Sequence, residues 1–485
     1  MKQRINIVWF KRDLRLQDHL PLKKAIADNL PILLLYIFEP SLIAAPYSDE
    51  RHWRFVVESI YDMNDKLKRY HQSVYILYGE VINIFKELIY HYDVVKVFSH
   101  QETGTWITFQ RDIEVKKFFR ERDIIWNEFQ NNAVIRGLKN RETWSEKRNE
   151  YLSKPLDNPQ LDKLIPFSID KNIIESFSAD EFISQINFNH QMQKGGESEG
   201  HKFLNSFLSE RHIGYTKNIS KPVESRIHCS RLSPYISWGN LSIKQVEQSK
   251  NKFYKNSTSK RDLLAFQSRV AWHCHFIQKL ESEPEYEFRN INSAYDNIRT
   301  EWNENYYNAW KEGLTGYPLV DATMRCVKET GYINFRMRAM LVSFLTHHLW
   351  LDWKEGANFL AKQFLDFEPG IHFPQFQMQA GTTGINTIRI YNPTKQALEH
   401  DPNAVFIKKW IPELQRLPSY LAIEPWKITP IEEIEYNFKY GVDYPKRIVN
   451  TDETYRNANK ILWQIKKSNA SKTEAEKILA KHVKS

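Results

Sequence analysis

Two closely spaced histidine pairs are the first residues in this sequence whose types could support chemistry. His273 and His275 lie two residues apart, and His347 and His348 are adjacent. Neither pair has a carboxylate or cysteine at the spacing of a zinc or iron site. Helix packing is therefore the favoured interpretation of all four histidines, and the sequence predicts no metal site.

Motifs of the common enzyme classes are missing as well. The sequence has no G-x-G-x-x-G turn after a strand, no Walker-type phosphate loop, no HExxH and no GxSxG. Cys229, Cys274 and Cys326 have no paired spacing, which argues against a disulfide framework or a four-cysteine cluster. These residue patterns alone therefore name no reaction.

Aromatic residues and positive charge are the informative features of the composition. The 485 residues include 14 tryptophans, and 68 lysines and arginines against 59 aspartates and glutamates give a net charge of +9. Tryptophan can stack on bases or on a planar cofactor, and excess positive charge favours a polyanionic partner. The sequence has no long apolar run and no signal-peptide core, which predicts a cytoplasmic protein with no membrane partner.

The first third of the chain alternates short β-branched runs with amphipathic segments. The pattern predicts strands at 5–10, 32–38, 74–78, 94–98 and 123–126. It predicts helices at 22–28, 51–70, 82–90 and 106–120. Such an order calls for a doubly wound parallel sheet with helices on both faces, so we predict an α/β domain over residues 1–130.

Helical periodicity dominates the rest of the sequence. A polar segment at 131–194 is predicted to be an interdomain linker on the surface, and an all-α domain is predicted over 195–450. Residues 451–485 are rich in lysine and are predicted to form a solvated basic tail helix. Within the all-α domain, long helices are predicted at 200–210, 260–280, 316–330, 335–353 and 357–364.

Several motifs, in order along the chain, resemble the DNA photolyase/cryptochrome superfamily. Residues 9–18 (WFKRDLRLQD) resemble the opening W-F-R-x-D-L-R-x-x-D of that family. Residues 310–325 (WKEGLTGYPLVDATMR) are a near match to its central signature, and 389–393 (RIYNP) extend the match. The resemblance covers about residues 5–426. It implies a flavoprotein with an antenna-type α/β domain followed by an all-α FAD-binding domain.

The resemblance also implies where FAD would bind. Residues 230–235 (SRLSPY) resemble the family's phosphate-binding turn, where backbone N–H groups and hydroxyls can bind a diphosphate. Arg338 and Asp366 match the pair that flanks the isoalloxazine ring, and Glu368 stands where the family usually has aspartate. The implied cofactor-binding residues are Tyr215, Cys229, Ser230, Arg231, Leu232, Ser233, Phe266, Arg269, His273, Arg338, Asp366, Glu368, His372 and Asn392.

The family's chemistry is light-driven electron transfer from reduced FAD to a pyrimidine dimer flipped out of DNA. Trp272 matches a tryptophan against which the lesion packs, and Arg336 and Arg231 are expected with it near the cavity mouth. His372 matches the residue that faces flavin N5, and Trp353 matches the middle tryptophan of the electron relay. The implied catalytic residues are Trp272, Arg336, His372 and Trp353.

Several positions depart from the family pattern. Arg269 replaces a glutamate one turn before the lesion-packing tryptophan, and His273 replaces an arginine. Losing the glutamate removes the usual proton donor or acceptor. Phe376 replaces the tryptophan nearest the flavin, so the relay should be impaired. Candidates for a substitute path are Trp302, Trp310, Trp350 and Tyr391.

These features favour light-driven repair of UV-induced pyrimidine dimers by a monomeric enzyme whose partner is damaged double- or single-stranded DNA. A cryptochrome-like photoreceptor without repair activity stays open as an alternative, as does repair of (6-4) or single-stranded lesions. Residues 427–485 are short for a signalling extension, which favours repair. The α/β domain could hold a second, antenna chromophore, which would be a folate, a deazaflavin or another flavin.

Overall fold

A five-stranded parallel sheet forms the centre of the N-terminal domain. The computed structural model describes residues 2–188 and 191–483. The spatial order of the strands is β3-β2-β1-β4-β5, and every neighbouring pair is parallel. The strands are β1 Arg4–Phe10, β2 Ile32–Phe38, β3 Val74–Tyr78, β4 Asp93–His100 and β5 Ile125–Phe129. The predicted doubly wound sheet is confirmed, with the last strand lying further along the chain than expected.

Helices cover both faces of this sheet because its central strands are apolar on both sides. Every residue of β2 is buried. Val8 and Phe10 of β1 belong to one hydrophobic cluster, whereas Ile7 and Trp9 belong to another on the opposite face. Two covered faces are typical of parallel sheets. The helices are α1 Leu20–Ala27, α2 Pro40–Ile43, α3 Glu50–Leu67, α4 Val81–His91 and α5 Trp106–Arg120.

The segment between the domains is more ordered than the sequence predicts. Its helices are α6 Trp144–Ser153, α7 Lys171–Ser176 and α8 Asp180–Ser184. Arg141, Trp144 and Arg148 follow helical spacing and are all buried, so the segment packs inward instead of only crossing the surface. Residues 189–190 of the predicted linker lie outside the described residues.

The second domain is helical throughout its described residues, as predicted. No helix of the described chain is both long enough and apolar enough to span a membrane. The helices before the tail are α9 Glu197–Ser206, α10 Tyr215–Asn218, α11 Ser225–His228, α12 Ser233–Ser237, α13 Ile243–Tyr254, α14 Lys260–Ser282, α15 Glu304–Glu312, α16 Pro318–Thr330, α17 Phe335–Ser343, α18 Trp353–Gln363, α19 Pro369–Ala380, α20 Pro393–His400, α21 Val405–Trp410, α22 Ser419–Ile423 and α23 Pro430–Glu435.

The predicted helix at 335–353 is broken in the structure. After α17 the chain forms a π-helical turn, Phe344–His348, and Trp350 then adopts a left-handed φ of 56°, which no helix continues through. The side chains of His347 and His348 donate or accept hydrogen bonds within the protein, the former with the carbonyl oxygen of Gln379 at 2.9 Å. Both histidines are therefore used in contacts within the helical domain.

The C-terminal tail is helical, as the sequence predicts, but it is not a single helix and is not solvated on all sides. The tail forms two helices, α24 Thr451–Lys467 and α25 Asn469–His482. Leu462 and Ile478 are buried. The lysine-rich composition hid a narrow apolar face that packs on the helical domain. Residues 484–485 of the predicted tail lie outside the described residues.

The segment that follows β1 fastens the sheet to the helical domain. Arg12 Nε donates to the carbonyl oxygen of Ser237 at 3.0 Å. Arg15 Nη1 donates to the carbonyl oxygen of Gly239, also at 3.0 Å. Both arginines belong to the W-F-K-R-D-L-R motif, so part of this motif has a structural role between the domains.

A buried Asp–His–His cluster lies beside the same segment and was missed by the sequence analysis. Asp13 Oδ2 accepts hydrogen bonds from His19 Nε2 at 3.0 Å and from His100 Nδ1 at 2.7 Å. The three side chains are close enough to surround a cation. However, the backbone N–H of Leu22 donates to His19 Nδ1 at 3.1 Å, so the ring proton sits on Nε2, the atom that a metal would need. The cluster is therefore a hydrogen-bond network that holds the start of α1.

Gly239→Ala should destabilise the protein strongly. Gly239 has φ +74°, and a Cβ there would lie 2.3 Å from the carbonyl oxygen of Arg12. The left-handed conformation costs about 1–2 kcal/mol for a residue with a side chain, and the overlap with backbone atoms adds to this. We expect a lower midpoint of thermal unfolding, measured by circular dichroism.

Gly137→Ala is the matched control for this prediction. Gly137 has φ +73°, but a Cβ there would meet nothing within 4 Å. The two variants share the backbone strain, and only Gly239→Ala adds the overlap. Equal losses of stability would contradict the close contact between the motif and the helical domain.

Candidate functional site

The loop at 229–232 holds Arg231 in a strained conformation. Its φ is +59°, which is uncommon for a residue with a side chain. Its guanidinium donates to Gln193 Oε1 at 2.7 Å and lies 3.8 Å from the ring centroid of Tyr332. Cys229 and Leu232 beside it are buried. Strain of this kind persists where surrounding contacts impose it, often at ligand sites.

Three arginines surround this loop without a carboxylate partner. Arg211 donates to the carbonyl oxygens of Cys229 at 2.5 Å and Ser230 at 3.1 Å, and Arg226 donates to a nearby carbonyl at 3.3 Å. Within the described chain, neither of these arginines nor Arg231 forms an ion pair. Burial lowers the pKa of Arg211 and of Arg231, because a cation removed from water is costly without an anion. A diphosphate at this loop would supply the missing negative charge.

The sequence predicts Arg231 both in the cofactor site and near the cavity mouth. It is half-buried and fixed against the loop, where it can contact a diphosphate. The backbone N–H groups of Ser230 and Arg231 donate to no described residue, so they are also free for an anion. The loop therefore fits the phosphate-binding role that its sequence implies.

Arg338 and Asp366 form the ion pair that the sequence predicts. Arg338 Nη2 donates to both carboxylate oxygens of Asp366, at 3.0 and 2.8 Å. Arg338 Nε donates to the carbonyl oxygen of Ile333 at 3.0 Å, and the guanidinium lies 4.1 Å from the ring centroid of Phe364. It also lies 5.9 Å from the ring of Tyr332, which connects the pair to the loop that contains Arg231.

Glu368 lies where the two domains meet. Its carboxylate is 3.8 Å from Arg12 Nη2, and it accepts a hydrogen bond from the backbone N–H of Gly370 at 3.3 Å. Burial raises the pKa of Glu368, which the positive charge of Arg12 opposes. The side chain lines a recess together with Lys11 and His100, at the carboxyl ends of β1 and β4.

His372 lies in a cluster of aromatic rings on α19. Its Nε2–H donates to the carbonyl oxygen of Ala357 at 2.8 Å, which leaves Nδ1 as an acceptor. Its ring centroid is 5.9 Å from Phe364 and 5.6 Å from Phe376. Burial lowers the pKa of His372 to about 4, so the ring is neutral at pH 7. Phe364 also supports Arg338, so the histidine and the ion pair share one neighbour.

Helix α14 joins the interior of the domain to an exposed aromatic–cation pair. Phe266 is buried and packs 6.3 Å from Tyr215 between ring centroids. Burial raises the pKa of Tyr215, and the nearby positive charge of Arg269 opposes only part of this increase. Trp272, less than two turns after Phe266, is 45% exposed, and the guanidinium of Arg269 lies 4.3 Å from its ring centroid.

Three predicted site residues lie apart from this pair. Arg336 lies 5.7 Å from the ring of Tyr391, and Asn392 caps α20 by accepting a backbone N–H at 3.0 Å. Burial and two nearby arginines lower the pKa of His273 to about 4, and its Nε2 is buried without a partner. Among the described residues, no hydrogen bond, ion pair or ring contact joins any of the three to Trp272.

The sequence analysis missed several residues that form the site. Tyr332 lies between Arg231 and Arg338, and Gln193 and Arg211 hold the phosphate-type loop. Tyr332 lies in a stretch that matches the family, directly after Gly331. This match was the signal that could have identified it. Gln193 and Arg211 follow no local pattern, because their role depends on contacts with residues distant in sequence.

Comparisons with known proteins match both domains. Residues 6–143 match the family model described as DNA photolyase, and residues 266–464 match the model described as FAD binding domain of DNA photolyase. The chain belongs to the DNA photolyase/cryptochrome superfamily. FAD is the cofactor of its helical domain, in agreement with the uncompensated positive charge at the loop.

Similar proteins within the superfamily carry both kinds of name. The chain is 25% identical to a deoxyribodipyrimidine photo-lyase of Alkalihalophilus pseudofirmus over 94% of this chain and 97% of that relative. It is 26% identical to a cryptochrome DASH of Gloeobacter violaceus over 93% and 94%. A Synechocystis cryptochrome superposes with a TM-score of 0.84 at 22% identity, covering 95% of this chain and 99% of that chain. A Sulfolobus tokodaii photolyase with two FAD molecules superposes with a TM-score of 0.77 at 25% identity, with the same coverage.

The sequence predicts that Phe376 replaces a tryptophan of the family's electron relay. Trp353, the predicted middle member, is buried and lies 6.4 Å from the Phe376 ring centroid. Its Nε1–H donates to Asn290 Oδ1 at 2.7 Å. The two residues predicted as relay positions therefore adjoin each other, and the one next to His372 is a phenylalanine, which is harder to oxidise than tryptophan.

A second line of aromatic rings connects Phe376 with the surface. A Cβ at Gly356 would lie 3.4 Å from Phe376 and 3.5 Å from Trp310, so these two rings approach each other across the glycine. Trp310 stacks on Tyr307 at 6.2 Å, and Tyr307 lies 4.8 Å from Trp302. Trp302 is 42% exposed, so the line ends in solvent.

FAD retention should depend on Arg338 and Ser233. Arg338→Leu removes the charge of the ion pair with Asp366, and Ser233→Ala removes a hydroxyl at the phosphate-type loop. We expect the double variant to purify with much less bound FAD, measured as flavin absorbance per protein. Arg325→Leu, which removes a surface ion pair with Glu413, is the control. Equal FAD content in both variants would contradict this assignment.

Photoreduction of bound FAD should be slow in the wild-type protein and faster in Phe376→Trp. The variant restores an easily oxidised ring beside Trp353. The measurement follows the flavin absorbance under blue light with a thiol as reductant. Fast reduction in the wild type that is lost in Trp310→Phe would identify the second line as the path. Fast reduction that depends on Trp353 alone would show that Phe376 is not the interrupted relay position.

Proposed function

We propose that this protein repairs UV-induced pyrimidine dimers in DNA with light absorbed by reduced FAD. The observation that carries the proposal is the exposed pair of Trp272 and Arg269 on α14. An exposed tryptophan can stack on an unpaired base, and an adjacent guanidinium can bind a phosphate. The net charge of +9 suits a DNA partner.

The residues around the cofactor would position charge for this reaction. When bound and excited, reduced FAD supplies the electron that splits the dimer. Arg338 holds a fixed positive charge that favours a negatively charged neighbour, and Asp366 prevents the guanidinium from moving. His372 offers Nδ1 as a neutral acceptor, since its Nε2–H is bonded to Ala357.

Arg269 changes how a lesion would be held. A glutamate at this position can exchange a proton with a pyrimidine carbonyl, whereas arginine keeps its proton and can only donate hydrogen bonds. Because the Arg269 guanidinium lies over the Trp272 ring, a base would pack on the part of the ring that Arg269 leaves free, next to this positive charge. Repair would then rely on hydrogen bonding to the carbonyl oxygens or the phosphate, without proton transfer from this residue.

A blue-light photoreceptor of the cryptochrome type is the second candidate function. It is favoured by the loss of the carboxylate at Arg269 and by similarity to proteins named cryptochrome DASH. Against it, the tail does not extend from the domain, because Leu462 and Ile478 are buried. A tail that is packed in this way is less suited to carry a light signal.

We further infer that the recess between the domains accepts an antenna chromophore. It lies at the carboxyl ends of β1 and β2 and is lined by residues of both domains, among them Trp9, Arg111 and Phe367. Lys11 and Arg111 lie 4.8 and 5.0 Å from the ring of Trp9, and burial raises the pKa of Glu39 in this lining to about 7. Ligands of open parallel sheets commonly bind at this edge.

The repair proposal is tested with oligonucleotides that contain a cyclobutane dimer, in single- and double-stranded form. The wild-type protein with chemically reduced FAD should restore the intact bases under blue light and not in the dark. Trp272→Ala should lose affinity for damaged DNA by roughly tenfold, since base stacking on an aromatic ring contributes about 1–3 kcal/mol. Affinity is measured by fluorescence anisotropy.

Trp463→Ala is the matched control for Trp272→Ala. Trp463 is also exposed, and Lys466 lies 5.5 Å from its ring, but it belongs to the tail. It should bind damaged DNA like the wild type. Flavin-loaded protein that restores no dimer under light would exclude repair, and equal losses in both tryptophan variants would exclude the α14 surface as the lesion site.

A further inference from the structure

A second region of buried, unpartnered donors lies far from the FAD loop, at the start of α6. Arg141 is 4% exposed, and its Nε and Nη1 have no hydrogen-bond partner in the part of the chain that the structure describes. Trp144, the first residue of α6, is also buried, and its Nε1–H has no partner among the described residues. The guanidinium lies 5.0 Å from the ring of Trp144. Only Arg141 Nη2 is bonded, to the carbonyl oxygen of His275 at 3.1 Å.

Lys279 adds a second buried cation beside Arg141. It lies on α14, is buried, and has no ion pair or side-chain hydrogen bond with any described residue. Burial, together with the nearby charge of Arg141, lowers the pKa of Lys279 to about 8. The nearest carboxylate, Glu283, is already bonded to Lys481 at 2.8 Å and His482 at 2.9 Å.

Two unpaired cations in one buried region are unfavourable unless an anion joins them. Each loses hydration, and they repel each other at short range. Buried donors without partners add a further cost for each group. Arg148, further along α6, is also buried, and its Nε and Nη2 have no partner among the described residues, but its Nη1 donates to Asn149 Oδ1 at 3.1 Å. For Arg141 and Lys279 the described chain offers no free carboxylate.

We propose that Arg141, Trp144 and Lys279 bind a small oxyanion with two negative charges, of the phosphate type. The two cations match its charge, and the free guanidinium, ammonium and indole donors match its several oxygen acceptors. The site lies where the interdomain segment, α14 and α25 meet, since His482 of α25 lies next to Lys279 and Arg141. The anion would therefore join the tail and the interdomain segment to the helical domain.

The source of the phosphate group is either the free ion or a phosphate monoester. The burial of Arg141 and Lys279 favours the free ion, because a monoester needs room for its organic part. The proposal is independent of FAD binding, since none of these residues contacts the loop at 229–232.

The test compares thermal unfolding of the FAD-loaded, full-length protein in chloride and in phosphate at equal ionic strength. Phosphate should raise the unfolding temperature of the wild type by several degrees and saturate, because an anion that binds only the folded state stabilises it. Lys279→Met should unfold at the same or a higher temperature in chloride, since an unpaired buried cation is removed, and should lose the phosphate response. Arg141→Met is a second variant with the same expectation.

Lys147→Met is the matched control, because Lys147 lies on the exposed face of α6 and should keep the full response. Ribose 5-phosphate in place of phosphate distinguishes a monoester from the free ion. Total phosphorus beyond that of FAD in desalted protein detects an anion that is already retained. The proposal is overturned by an equal phosphate response in the wild type and Lys279→Met. It is also overturned if the wild type shows neither a response nor excess phosphorus.

Discussion

The hydrogen bonds that Arg12 and Arg15 donate across the domain boundary fix the geometry on which both sites depend. They begin where β1 ends, so the carboxyl edge of the sheet is placed against the helical domain. Arg12 also donates to the carbonyl oxygen of Phe367 and lies near the carboxylate of Glu368. Helix α19, which contains His372, starts directly after Glu368. The orientation of His372 is therefore set partly by Arg12, which follows β1 and lies far earlier in the chain. The close approach of Gly239 to this segment allows no side chain between them.

Buried positive charge without carboxylate partners is the clearest electrostatic feature of the helical domain. At the loop of Arg231 it accompanies a strained backbone and free N–H groups, and the family shows that this domain binds FAD. At Arg141 and Lys279 the same imbalance occurs away from this loop. In both places the protein would be less stable alone than with an anion, so ligand binding and folding stability are coupled.

The sequence was sufficient for features that depend on local pattern and insufficient for those that depend on long-range contacts. The alternation of strands and helices, the broad all-α region and the pairing of Arg338 with Asp366 could be predicted from periodicity and motif resemblance. The packing of the tail could not be predicted, because its buried face consists of few residues, such as Leu462, among many lysines. The Asp13–His19–His100 network and the support of Arg231 by Gln193 join positions far apart in sequence, for which no single-chain pattern exists.

Two of the predicted departures from the family pattern would act on different steps. Arg269 lies at the exposed tryptophan and would affect how a lesion is held, whereas Phe376 lies in the interior beside His372 and would affect how oxidised FAD regains electrons. A repair enzyme whose FAD is already reduced does not need a fast relay in each cycle. A photoreceptor that responds to light by reducing oxidised FAD does need one. Phenylalanine at position 376 therefore weighs more against a sensor than against a repair enzyme, unless electrons pass through Trp310, Tyr307 and Trp302 instead.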